Sequence, residues 1–198
     1  MTHSVPEGGF TLDCGGSEDP EMRARFIPAF RIAFGLTTQV FFNPTDEDLG
    51  APGCKFATIS VGGRVIAGAR GVLDGGGNVY VCQCFTVPEY RKRGLIGVAV
   101  AALRLQFHDE SPPDDRITDA RLVVRRMDGR DNERVQHAYE NVGFRAGREL
   151  AVAIDYTDRA SQHLDEHDGV LRTREMTADE TSLELCREIV RRFRERFS

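Results

Sequence analysis

Residues 87–97 read VPEYRKRGLIG, where an apolar strand ends and a helix opens among arginines and glycines. Those residue types at such a junction are suited to holding a diphosphate. The first N–H groups of a helix have no partner inside it and sit at the positive end of the peptide dipoles, so an anion placed there gains hydrogen bonds and charge stabilisation together. Gly94 and Gly97 let a ligand approach the main chain, and Arg91, Lys92 and Arg93 supply cations. The stretch contains neither a glycine-rich loop ending in Lys-Ser or Lys-Thr nor a G-x-G-x-x-G run, so it is neither of the common nucleotide loops.

A second stretch, residues 132–144, reads NERVQHAYENVGF. Asn132 is a good helix N-cap, Gly143 suits the left-handed turn past a helix end, and Phe144 starts an apolar strand. Arg91-x-x-Gly94 after a V-x-P-like strand end resembles motif A of the GNAT N-acetyltransferase superfamily, Q/R-x-x-G-x-G/A. Asn132, Tyr139 and the Gly143-Phe144 pair resemble its motif B. Ile96 departs from motif A, standing where the family prefers Gly or Ala, with Gly97 one place later. The separation of the two motifs leaves room for one helix and one strand, and the resemblance extends over residues 55–176.

The resemblance implies an α/β (α+β) fold, with a central mixed, mostly antiparallel sheet of about seven strands flanked by helices. That sheet splays beside the strand leading into motif A. It implies acetyl-CoA (coenzyme A) as co-substrate and a small-molecule amine or a peptide as acceptor. Arg91, Arg93, Gly94, Ile96 and Gly97 are then expected at the pyrophosphate, and the main chain of Phe85 and Val87 at the acyl carbonyl. Asn132 falls near the pantetheine arm, and Tyr139 at the position of the acid that protonates the leaving thiolate. Two other readings stand beside acetyl transfer: a longer-chain N-acyltransferase of the N-acyl amino acid synthase kind, with Val40, Phe41 and Phe42 lining a tunnel, and a non-catalytic acyl-CoA sensor.

A general base is harder to name from residue types. Tyr80 and Gln83 occupy the strand where many family members place a carboxylate, and neither is a base at neutral pH without help. His108 and His137 read as surface or capping groups. Cys82 and Cys84, two apart on a strand, share a face. With no activating His or Asp at a recognisable spacing they read as buried structural thiols, and two sulfurs without a partner cluster argue against a zinc site.

The net charge of −5 argues against a nucleic acid or an anionic membrane as partner. Five cysteines without paired C-x-x-C units fit a reduced, cytoplasmic protein, and no apolar run approaches the roughly 20 residues that span a bilayer. One domain is expected over residues 1–176, opening with a loose arm, and an amphipathic helix over 177–198 packs on it or on a second subunit, making a homodimer.

The elements that position the chemistry follow from local patterns. A short strand at 10–13 precedes a helix capped by Asp19, with Pro20 at its first turn. Phe26, Phe30, Ala33 and Phe34 lie on one stripe of that helix, and Pro28 is expected to kink or divide it. Residues 36–53 form a long connection. Strands at 55–60 and 64–73 make a hairpin around Gly62-Gly63, and Asp74 with three glycines turns the chain into a strand at 78–87. Then come an apolar helix at 94–108, with Val98, Leu103 and Phe107 inward, and a strand at 121–126. The motif B helix at 132–141, a strand at 144–156, a polar loop at 158–168 and a strand at 169–176 complete the order. Thr177 with Glu180 reads as a capping box for the last helix, whose apolar face is Leu183, Cys186, Val190, Phe193 and Phe197 opposite five arginines.

Overall fold

Seven strands run through the chain in a computed structural model that describes residues 9–34, 46–125, 132–153 and 170–197. They are β1 (Thr11–Gly16), β2 (Lys55–Val61), β3 (Arg64–Leu73), β4 (Val79–Thr86), β5 (Ala120–Arg125), β6 (Arg145–Ala153) and β7 (Val170–Ala178), and they form one sheet in the order β1-β2-β3-β4-β5-β7-β6. Every neighbouring pair is antiparallel except β4 and β5, which are parallel. Helices α1 (Pro20–Phe34), α2 (Asp46–Leu49), α3 (Leu95–Glu110), α4 (Glu133–Glu140) and α5 (Leu183–Phe197) flank it. This is the mixed, mostly antiparallel, helix-flanked sheet that the resemblance implies. The N-terminal arm, most of the 36–53 connection with Val40, Phe41 and Phe42, Arg126 and the 158–168 loop lie outside the described residues.

Turn chemistry sets the registers. Gly62 and Gly63 take φ of 55° and 79°, the paired left-handed angles that a two-residue hairpin requires, and β2 folds back on β3 there. The Asp74 carboxylate accepts from the Gly76 and Asn78 amides at 2.8 and 3.0 Å and pairs with Arg121 at 2.7 Å, tying the start of β4 to β5. Asp19 caps α1 by accepting from the Met22 amide at 2.9 Å.

Two expectations about the helices change. α1 runs undivided through Pro28, because Phe26, Ala29, Phe30 and Ala33 bury its inner face and outweigh the single hydrogen bond that proline removes. Phe34, expected on that buried stripe, is 41% exposed. The Thr177–Glu180 capping box does not form. Thr177 is paired on both sides, with Arg121 of β5 and Arg145 of β6, so β7 continues to Ala178. Asp179 becomes the cap, accepting from the Thr181 amide at 3.1 Å, and a 3-10 turn, Glu180–Ser182, leads into α5.

The core lies between the sheet and α1, α3 and α5. Leu95, Ala99, Val100, Leu103 and Phe107 of α3 are buried, while Val98 is half-buried. α5 buries Leu183, Cys186, Val190 and Phe193 against this layer, and its Phe193 and Phe197 rings meet Phe10 with centroids 6.2 and 4.5 Å away. On its outer side Arg191 and Arg192 pair with Glu188. No helix among the described residues is long and apolar enough to cross a membrane.

Candidate active site

β4 changes character along its length. Val79 and Tyr80 pair with Ala120 and Arg121 of β5, and there the parallel ladder ends. From Val81 to Thr86, among the described residues, the strand stays paired only with β3, so its other edge is open. On the paired side, Cys84 faces Ala69 while Val81 faces Gly71, so Cys82 and Gln83 both oppose Arg70 in a bulge. Arg70 fastens both: its carbonyl accepts from the Cys82 thiol at 3.4 Å, and its guanidinium donates to Gln83 Oε1 at 2.7 Å and to Cys54 Sγ at 3.0 Å.

The ladder decides which main-chain donors face the open edge. The Val87 amide donates to Ile66 O of β3 at 2.8 Å. Alternation along an antiparallel pair therefore turns the Phe85 amide toward β3 as well, and turns those of Cys84 and Thr86 to the open side. Of the amides expected near the acyl carbonyl, those of Phe85 and Val87 therefore face β3, while those of Thr86 and Cys84 face the open edge. Strand parity without a known register could not reveal this.

Beyond β4 a 3-10 turn, Pro88–Tyr90, leads into a loop in which Lys92 and Gly94 take φ of 64° and 74°. A non-glycine residue in the left-handed region costs about 1–2 kcal/mol, and alternating left-handed residues bend successive amides into an anion-binding concavity. Gly94 precedes α3, and its carbonyl accepts from the amides of Gly97 (3.0 Å) and Val98 (3.3 Å). The amides of Leu95 and Ile96, at the first two helical positions, have no carbonyl within the helix to bind. Ile96 is half-buried beside the loop.

Gly97 serves otherwise than expected. Its amide is bonded within the helix, and a Cβ on it would sit 3.1 Å from Val142, so it is a close-approach residue between α3 and the turn after α4. Arg91 is also committed: its Nε donates to Thr86 O at 3.2 Å and its Nη2 to Ala33 O at 2.6 Å. Arg93 lies over the Tyr90 ring, 5.2 Å from its centroid.

Tyr139 comes from α4. Asn132 caps that helix, its side chain accepting from the Val135 amide at 3.4 Å. Gly143 has φ of 88°, and a Cβ there would lie 2.2 Å from the Ser182 Cβ, so both conformation and space demand glycine. The turn places Phe144 beside Tyr139, ring centroids 6.1 Å apart. Tyr139 is 8% exposed and lines the same groove as Cys84. Burial first, and the neighbouring Cys84 sulfur second, push the phenol above its ordinary range; burial pushes Cys84 up to about 12. Tyr139 is thus a protonated donor at neutral pH, and Cys84 is no thiolate nucleophile.

A groove of about 700 Å³ joins these parts, running from Arg91, Lys92, Arg93, Gly94 and Ile96 past Phe34 and Thr86 to Cys84 and Tyr139. Tyr80 and Gln83 do not line it. Tyr80 sits where β4 and β5 still pair, with Arg121 5.5 Å from its ring, and Gln83 is buried against Arg70. His108 points its Nδ1 at Ile117 O (3.2 Å), and His137, at the rim, lies 3.4 Å from Glu140. Among the described residues no three His, Cys, Asp or Glu side chains gather as metal ligands.

No protein-family model and no curated protein sequence matches the chain. Solved structures do resemble it. The ribosomal-protein-S18-alanine N-acetyltransferase from Escherichia coli superposes with a TM-score of 0.59 at 13% identity, covering 86% of this chain and 93% of that one. An aminoglycoside 6′-acetyltransferase type Ii also gives 0.59, at 10% identity over 86% and 97%. A GNAT family acetyltransferase from Elizabethkingia anophelis, with acetyl-CoA bound, gives 0.55 at 9% identity over 87% and 99%. With its parallel β4–β5 pair parting after two residues and α3 opening at a left-handed loop, the chain has the GNAT acetyltransferase fold.

Proposed function

We propose that this chain is an acyl-CoA-dependent N-acyltransferase, moving an acetyl group from acetyl-CoA to a primary amine of a small molecule or peptide by direct attack. One observation carries the reading: a single groove connects the open amides at the head of α3 to the Tyr139 hydroxyl beside the unpaired edge of β4. The loop fits a diphosphate, since the amides of Leu95 and Ile96 are open, Lys92 and Arg93 bring cations, and a Cβ at Gly94 would meet nothing within 4 Å. The acetyl-CoA-bound Elizabethkingia protein and the amine-acetylating neighbours support the same assignment.

Each residue then has a task. The amides of Cys84 and Thr86 donate to the carbonyl oxygen as negative charge grows on it, a fixed electrostatic contribution that needs no reorganisation. Tyr139 gives its proton to the departing thiolate. Phe34 and Phe85 supply apolar wall beside the reacting carbon. Tyr80 and Gln83, turned away from the groove, take no part in removing the amine's proton.

Thioester consumption with acetyl-, butyryl- and decanoyl-CoA against a panel of amines and peptide N-termini tests this. Acetyl-CoA turnover with at least one acceptor is expected. Preference for the decanoyl thioester selects the longer-chain reading, and tight CoA binding without turnover selects the sensor.

A further inference from the structure

α1 spans Pro20–Phe34, and Ala33 stands in its last described turn. β4 leaves β5 after Tyr80, so the carbonyl of Thr86 points into the gap with no strand to meet it. One side chain satisfies acceptors in both elements: the Arg91 guanidinium reaches Ala33 O at 2.6 Å, 58 residues away in sequence, and Thr86 O at 3.2 Å. We infer that Arg91 is a positioning residue, a strut that locks the end of α1 to the end of β4 and holds the phosphate loop in shape, and not itself a ligand of the cofactor's phosphates.

The argument is geometric and chemical. A planar guanidinium can donate from Nε and Nη2 to two carbonyls in fixed directions, whereas a lysine ammonium is a single compact charge on a flexible stem. A cation at the C-terminal end of α1 also meets the negative end of its dipole. Ala33, Phe34, Thr86 and Arg91 all line the groove, so this one side chain fixes the α1 wall relative to the loop that begins at Arg91. The following residue, Lys92, is held in a left-handed conformation that needs such an anchor on its flank. Phosphate attraction is left to the open amides and to Lys92 and Arg93.

The identity of the ligand rests on the acyltransferase reading; the strut itself does not. CoA affinity should be measured by calorimetry from 50 to 500 mM salt for the wild type, Arg91→Lys, Arg91→Gln and Arg93→Gln. Alongside, amide hydrogen exchange should be followed on the ligand-free proteins. Both Arg91 variants are expected to weaken CoA binding about 10-fold, the loss of one charge-assisted pair of hydrogen bonds, with the salt dependence unchanged. Arg93→Gln should flatten that dependence. In the free proteins the last turn of α1 and residues 92–95 should exchange about 10-fold faster in both Arg91 variants. Wild-type affinity in Arg91→Lys with a flattened salt dependence in Arg91→Gln would make Arg91 a phosphate ligand and overturn the inference, as would unchanged exchange at the end of α1. Failure of the wild type to bind CoA removes the acyltransferase reading, and the exchange measurement then decides the strut by itself.

Discussion

The two regions that α3 joins treat their polar groups in opposite ways. At its head the amides of Leu95 and Ile96 stay open, the preceding loop is bent by left-handed residues at Lys92 and Gly94, and a groove lies in front of them. Two turns further on, Arg104 is 2% exposed, and its guanidinium donates to Ser182 Oγ at 2.8 Å, Asp179 O at 3.0 Å and Thr118 O at 3.2 Å. It also lies 5.4 Å from the Phe144 ring centroid. One region leaves donors open to a groove; the other consumes a charged side chain in joining α3 to α5 and to the start of β5. Function is to be sought where the backbone leaves donors unused, and the arginine that looks most unusual by burial is architecture.

The comparison is broken most directly at Gly94. Gly94→Glu puts a carboxylate among amides meant for an anion, while the open space around the Cβ leaves the fold only the strain of a left-handed side chain, about 1–2 kcal/mol. CoA affinity should fall about 1,000-fold, roughly 4 kcal/mol, with a modest drop in melting temperature. Calorimetric titration showing near-native affinity would show that the loop does not bind the phosphates. Arg104→Ala should do the reverse. Removing it takes the guanidinium donor from the part-buried Thr118 carbonyl and the Ser182 hydroxyl, leaves Asp179 O to its Ser182 donors alone, and opens a cavity, so about 3 kcal/mol of stability is expected to be lost in a denaturant titration. CoA affinity measured where the variant is still folded should stay within about 3-fold.

Tyr139→Phe sharpens the contrast inside the groove. It removes one oxygen and keeps the ring against Phe144, so kcat should fall about 100-fold, near 2.7 kcal/mol, while CoA affinity holds. An unchanged kcat would remove Tyr139 from the chemistry and leave it a packing residue.

What the sequence discloses follows the range over which each feature is decided. The hairpin at Gly62-Gly63, the Asp74 turn, the Asn132 cap and the Gly143 turn are settled by neighbours a few residues away, and all are legible. The end of β7 is not, because Thr177 stays in the sheet through partners at Arg121 and Arg145. Nor is the part played by Gln83: a bulge against Arg70 turns it from the groove, and bulges leave no local mark here. Which amides of β4 face the open edge has the same origin, since it depends on the pairing of Val87 with Ile66. Arg91 and Gly97 sit in a motif whose types are readable, yet Ala33 and Val142, the groups that claim them, are distant in sequence.

The smallest effect concerns the thiol beside Tyr139. Burial holds Cys84 protonated up to about 12, whereas in the unfolded chain a thiol ionises near 9. As pH rises above 9 the unfolded state releases a proton that the folded state keeps, so the unfolded chain binds fewer protons and stability falls with pH across that window. Between pH 9 and 10 this one group should remove about 1 kcal/mol. Cys84→Ser keeps a small polar side chain that does not titrate there, so its urea-derived stability should decline less steeply than that of the wild type by that amount. Burial, the largest cause of the Tyr139 shift, keeps that phenol protonated in both folded proteins over this window, so it and the other thiols cancel in the difference. Parallel slopes would mean that Cys84 is solvated through the groove it lines and that burial does not hold it protonated.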